Sequence, residues 1–287
     1  GTAWRKVTVA GAKPSGRRYH CLVYDEGRGR TVLFGGEAGG PNFNDTWEFD
    51  GTKWKKMTAT GPTAPYDPVM VYDAARRKSV LAFYTYSAEW KRVYQVWTWD
   101  GAAWTKIASF PPPKGFPGWW RAAYDAARDR IVFFCSAGST WRVDGSKGVP
   151  VKPDWPFPPT PDAMTYGSAI GKILMFRNGT WAWDGWGWYE LGKNRLGYRG
   201  GVAMAFDAAR GVPVLFGGVY YGSGVSYFND TWTWNWTTSA WTQVATTGPS
   251  WRYGAAMAFD AKRSEVVLFG GVPGTVGGED AGTWAWN

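Results

Sequence analysis

The chain has 287 residues, with 32 Lys and Arg against 23 Asp and Glu, a net charge of +9, two cysteines and a single histidine. No apolar run approaches the ~20 residues of a membrane-spanning helix, no Cys-x-x-Cys pair points to zinc, and basic residues scattered without a run of five or six argue against a nucleic-acid arm. The outlying feature is aromatic: 22 Trp, 15 Tyr and 15 Phe, suited to strands packed on both faces or to binding surfaces.

The first strand-like stretch is Trp4-Arg5-Lys6-Val7. The next ends in Tyr24-Asp25, with Arg28 three residues past the aspartate. Thr31-Val32-Leu33-Phe34 then runs into Gly35-Gly36, and Thr46-Trp47-Glu48-Phe49 into Asp50-Gly51, with Trp54 beyond. β-Branched and aromatic runs bounded by glycine mark strands. Apolar residues on both sides of a run fit a sheet covered on both faces. An aspartate opening a turn bonds the backbone two residues on, and Asp-Gly between strands signals a hairpin. The unit is therefore four antiparallel strands.

This unit repeats. The anchor tryptophans are Trp47, Trp97, Trp141, Trp181, Trp232 and Trp284. Before them stand apolar blocks ending at Phe34, Phe83, Phe134, Phe176, Phe216 and Phe269. The aromatic-Asp-x-x-Arg turn recurs at Asp73, Asp125, Asp207 and Asp260, while the fourth unit has Tyr166-Gly167-Ser168 instead. Trp104, Trp188 and Trp241 match Trp54. Repeats of this length signal a propeller or solenoid. The expectation is one β-propeller domain over 1–287, with blades near 10–58, 59–108, 109–153, 154–192, 193–245 and 246–287 plus 1–9.

The sixth unit lacks its outer strand. Asn287 followed by residues 1–4 matches the spacing Asp50-Gly51-Thr52-Lys53-Trp54. The N-terminal segment is therefore expected to supply that strand and close the ring. Cys21 and Cys135 fall on non-neighbouring blades, so two free thiols are expected. The opening Gly1-Thr2-Ala3-Trp4 has no basic-then-apolar leader pattern; without Met, this end is expected to be either processed or recombinant.

The Gly-Gly after the second strand, the spaced aromatics and the tryptophan after the turn resemble the kelch repeat family over essentially the whole chain. Units 1, 5 and 6 match best. Units 2, 3 and 4 have Tyr84-Thr85, Cys135-Ser136 and Arg177-Asn178 where Gly-Gly is expected. The resemblance implies an all-β, six-bladed propeller with function at the face bearing the variable loops. Trp-rich rings of this look resemble exported bacterial proteins, so a secreted or periplasmic monomer is expected.

On that face the starts of the innermost strands meet the central channel. They bring Arg17, Arg18, Tyr19 and His20, then Tyr66 and Asp67, then Trp119, Trp120 and Arg121. Asp162, Arg199, Trp251, Arg252 and Tyr253 follow, and long loops add Trp90, Tyr94, Tyr220, Tyr221 and Tyr227. Aromatic planes stack on sugars, rings or cations; guanidinium forks take carboxylates, sulfates or phosphates in pairs of hydrogen bonds. Arg17, Arg199 and Arg252 share one repeat position, and kelch repeats carry Arg there, which also fits a structural role. The strand tryptophans read as packing.

The leading reading is a non-catalytic module that binds a carbohydrate or an acidic peptide, without cofactor. The alternative is a metal-independent enzyme acting on an acidic sugar, similar to kelch sialic-acid epimerases, with Asp67, Asp162 and His20 moving protons. A copper site like that of galactose oxidase needs two histidines, and the chain has one.

Overall fold

The computed structural model describes residues 2–40, 42–63, 66–111, 120–135, 140–144, 147–151, 161–177, 179–192, 196–273 and 278–287. The described strands form six four-stranded antiparallel sheets and two short ribbons. We number the four-stranded sheets one to six by their innermost strands: Cys21–Asp25, Tyr66–Asp73, Trp120–Asp125, Ala163–Gly167, Ala203–Asp207 and Ala256–Asp260. Each innermost strand adjoins the next, and the sixth adjoins the first. The result is a closed β-propeller around a channel.

Local chemistry sets each hairpin. In sheet one the Asp25 carboxylate accepts the Arg28 amide at 3.0 Å and its guanidinium at 2.7 Å. Asp73, Asp207 and Asp260 hold Arg76, Arg210 and Arg263 the same way. At the outer turn, Asp50 Oδ1 accepts the Thr52 and Lys53 amides, each at 2.9 Å. Gly51 sits there at φ 97°, a conformation that penalises a Cβ. The second strands carry fully buried side chains; in sheet one Val32, Leu33 and Phe34 are each 0% exposed.

Neighbouring sheets are joined by a recurring bond. The outer-strand tryptophan of one sheet donates its indole N–H to the threonine before the anchor tryptophan of the preceding sheet. The pairs are Trp54–Thr283 at 3.0 Å, Trp104–Thr46 at 2.8 Å, Trp188–Thr140 at 3.0 Å and Trp241–Thr180 at 2.7 Å. A buried indole N–H needs such a partner. Between sheets two and three both members are missing: Val96 stands at the threonine position, and the outer strand Lys147–Val151 carries no tryptophan. Apolar packing of Val96, Tyr94, Trp120 and Phe133 fills this seam instead.

The last sheet is completed by the chain's beginning. Trp4–Lys6 pairs antiparallel with Thr283–Trp286, Trp4 opposite Trp286. Trp4 then bonds Thr231 at 2.7 Å, as the other outer-strand tryptophans do.

One expectation needs correction. The long loop expected to carry Trp90 and Tyr94 is reduced to a short turn over 87–91: Lys78–Tyr86 and Arg92–Trp99 continue the sheet-two hairpin outward, and Tyr94 is 0% exposed. Apolar and aromatic cross-strand pairs such as Tyr84 opposite Tyr94 extend the ladder past the point where glycine ends it elsewhere. Cys21 is a free, buried thiol, pushed up to about 12 by that burial; the Cys135 side chain lies outside the described residues.

Candidate functional site

A cavity of about 800 Å³ opens where the innermost strands begin. Of the residues the sequence singled out, His20, Asp67, Asp162, Tyr19, Tyr66, Arg121, Tyr221 and Tyr253 line it. Trp119 lies outside the described residues.

Arg121 lies deep in this cavity. Its Nε donates to the Asp162 carbonyl at 3.1 Å and its Nη1 to the Trp120 carbonyl at 2.9 Å. Burial lowers its pKa, while Asp162 and Asp67 partly restore it. Asp162 is pushed up to about 6 by burial, against the pull of Arg177 and Arg121. Its Oδ2 lies 3.9 Å from Arg177 Nε and makes no hydrogen bond. Burial also raises Asp67, offset by Arg121, the Tyr84 hydroxyl and Arg92. Two carboxylates and two guanidinium groups therefore converge in a partly buried space, where each interaction is stronger than in bulk water.

Backbone strain accompanies them. Tyr19 has φ 55° and Asp67 φ 46°, conformations costing about 1–3 kcal/mol each for non-glycine residues. The Tyr19 amide is held by the Gly254 carbonyl at 2.9 Å. The Asp67 carbonyl accepts the Trp120 indole N–H at 2.7 Å, at an irregularity in the pairing between Tyr66 and Val69.

Partly exposed tyrosines ring the opening. Tyr66 stacks on Tyr84 with centroids 5.4 Å apart at 15°. Tyr19 and Tyr253 lie 6.4 Å apart, and Tyr198 meets Arg177 through a 3.1 Å hydrogen bond to its hydroxyl.

Other expected contacts belong to the scaffold. Arg17, Arg199 and Arg252 are 1%, 3% and 1% exposed. Each donates to a glycine carbonyl 18 residues on: Gly35, Gly217 and Gly270. Each also pairs with an acid: Asp45 at 2.6 Å, Asp230 at 2.6 Å and Asp280 at 2.8 Å. Arg17 and Arg252 are engaged at all three guanidinium nitrogens, and Arg199 at both terminal nitrogens with its Nε buried and unbonded, so they brace the loops rather than offer themselves to a ligand. Trp120 is 3% exposed, stacked on Phe133 and edge-on to Tyr94; it positions Asp67. Arg18 is engaged by Glu37 at 2.8 Å and donates to the Tyr253 hydroxyl. Trp251 stacks on Tyr227 at 4.3 Å, Tyr220 packs edge-on to Tyr198, and Trp90 is 82% exposed on a hairpin tip; none of these three lines the cavity.

His20 lines the cavity yet is 5% exposed and edge-on to Phe269. Burial holds its pKa at about 3, with nearby Arg17 adding to the effect. Its imidazole is therefore neutral at ordinary pH and has little contact with solvent.

The sequence reading missed Arg177. It stands in the fourth sheet where the well-matched units have their first glycine, and that departure was the available signal. Among the described residues, no group of three or more His, Cys, Asp and Glu is placed to hold a metal ion.

The fold and cavity define a β-propeller with a charged, tyrosine-rimmed pocket at one end of its channel. The solved structure of YjhT superposes on 98% of this chain and 100% of its own, with a TM-score of 0.71 at 9% identity. TolB from Acinetobacter baumannii aligns with 96% of the chain and 64% of its own length, with a TM-score of 0.49 at 13% identity. No family model matches the sequence, and no curated protein matches it.

Proposed function

We propose that this chain is a six-bladed, kelch-type propeller whose channel-mouth cavity binds a carbohydrate bearing an acidic group. The observation that carries this is the convergence of Arg121 and Arg177 inside a rim of Tyr19, Tyr66, Tyr198, Tyr221 and Tyr253. Tyrosine presents a flat apolar face and a hydroxyl, which suits a ring carrying hydroxyl groups. Arg177 keeps donors to spare, which suits a carboxylate. The cavity volume falls within the ~300–1,000 Å³ of small-molecule sites.

Calorimetric titration with uronic and sialic acids tests this. The wild type should bind at least one. Arg177→Ala and Tyr66→Ala should weaken binding about tenfold or more, with melting temperatures unchanged. Full retention of affinity in both variants would refute the assignment.

One observation favours a second reading, a metal-independent enzyme on the same sugar. Asp162, held near 6 with Oδ2 unbonded, suits proton exchange near neutral pH. Epimerisation or elimination of the bound sugar, followed by NMR and abolished in Asp162→Asn, would establish it. Binding without turnover would leave the binding module.

A further inference from the structure

Two projecting hairpins face each other across the ring. The second strand of sheet two, Lys78–Tyr86, has nine residues, against five or six in the other sheets. With Arg92–Trp99 it carries the sheet-two hairpin beyond the rim. In sheet five, Gly217 and Gly218 at φ 69° and 102° end the second strand, and a separate ribbon rises from Val219–Tyr221 and Val225–Tyr227. Sheets two and five are three steps apart in a ring of six neighbours, so the hairpins stand on opposite sides of the cavity.

Both are faced with aromatic rings that continue outward from it. On one side Tyr66 packs against Tyr84 and Tyr86, Tyr86 meets Trp90 at 6.1 Å, and the Arg92 guanidinium covers Tyr84 at 4.9 Å. On the other, Tyr221 lines the cavity, and Tyr227 lies 6.3 Å from Tyr253 and 4.3 Å from Trp251. Tyr66, Tyr86, Trp90, Tyr221 and Tyr227 are 39–82% exposed, although such rings usually bury most of their surface. The sheet-five ribbon is tied down at its base, where Arg252 donates its amide to the Phe228 carbonyl and Gly200 exchanges backbone bonds with Val219. A fixed base lowers the ordering cost of binding.

We propose that the cavity is the centre of a longer cleft that takes an acidic oligosaccharide of three or more units. This rests on the acidic-sugar reading of the cavity and deepens it. The central unit sits between Arg121 and Arg177, and flanking units lie against the Tyr86–Trp90 rings on one side and the Tyr221–Tyr227 rings on the other. Aromatic rings spaced along two opposed walls match a chain of flat, hydroxylated rings. A single sugar reaches neither Trp90 nor Tyr227, which lie outside the cavity lining. Each flanking contact should strengthen binding roughly two- to tenfold, the range for aromatic stacking.

The test titrates the intact chain with uronic-acid and sialic-acid oligosaccharides of one to six units. Affinity should rise at least about tenfold from monomer to trimer in one series. Trp90→Ala and Tyr227→Ala should each remove a several-fold part of that gain and leave monomer affinity unchanged. Equal affinity for monomer and hexamer, or a gain that survives both substitutions, would overturn the cleft and leave the single-sugar reading standing. No binding at any length would overturn both.

Discussion

The Trp4 indole N–H reaches the Thr231 hydroxyl at 2.7 Å, joining residues 227 positions apart. The same ring lies 5.3 Å from Phe216 and 5.4 Å from Trp286. One side chain thus fastens the sixth sheet to the fifth. Trp4→Ala should cost roughly 3 kcal/mol, a fall in melting temperature of about 5–10 °C for a domain of this size. Trp4→Phe loses mainly the hydrogen bond, about 1 kcal/mol, and should fall only a few degrees. Differential scanning calorimetry of both variants checks this; an unshifted Trp4→Ala melt contradicts it.

The seam between sheets two and three gives a paired prediction. Thr46→Val strands the Trp104 indole N–H, and Val96→Thr strands a hydroxyl in an apolar seam. Each should destabilise by about 1–3 kcal/mol, although the two exchanges are chemically opposite. Urea midpoints of the single variants measure it. A stabilising Val96→Thr would mean that an acceptor or donor waits in that seam.

Asp162 predicts how stability varies with pH. Its folded pKa of about 6 lies above the ordinary carboxylate value near 3.9. The folded state therefore holds the proton more tightly, and this stabilisation is complete below about pH 4 and lost as pH rises through 6. Asp162→Asn should match wild type at pH 4 and melt above it at pH 7.5. The charge also opposes an anionic ligand, so wild-type affinity for the acidic sugar should fall between pH 5 and 7.5, and Asp162→Asn should flatten that slope.

His20 has the opposite sign. Its folded pKa of about 3 lies below the ordinary 6.5, so its contribution is complete above 6.5 and lost as pH falls towards 3. Between pH 4 and 6 the two groups oppose each other. Because the chain has one histidine, its ring C–H signal is unambiguous in NMR. That signal should not titrate between pH 5 and 8; a midpoint near 6.5 would place the ring in solvent.

Arg17 and Arg177 should separate stability from binding. Removing Arg17 leaves Asp45 without its ion pair and two carbonyls without a donor. Breaking a buried pair costs about 3–5 kcal/mol, so Arg17→Ala should melt lower by about 6–15 °C. Ligand affinity, measured well below that melt, should stay unchanged. Arg177→Ala should do the reverse.

The strands were legible because glycine-bounded apolar runs and Asp-anchored turns are local signals. The closing strand was legible because Trp4 keeps the spacing of Trp54. The depth of individual side chains was not. Arg17 and Arg121 are both arginines beside the channel, and only the partners brought in from residues 28 and 41 positions away separate a brace from a cavity lining. Trp120 was expected at the channel face, yet it is buried in the seam where the tryptophan–threonine bond is missing. Arg177 was visible only as a missing glycine.

The two chain ends meet as a hairpin turn does elsewhere in the ring. The Thr2 amide donates to the Asn287 carbonyl at 2.6 Å, at the place where Asp50 turns the first sheet. Starting point and connectivity are therefore separable from the architecture. A circular permutant, linked across that gap and opened at the Asp100-Gly101 turn, keeps every inter-sheet bond described above and lets a fused partner be hung from a different sector of the ring.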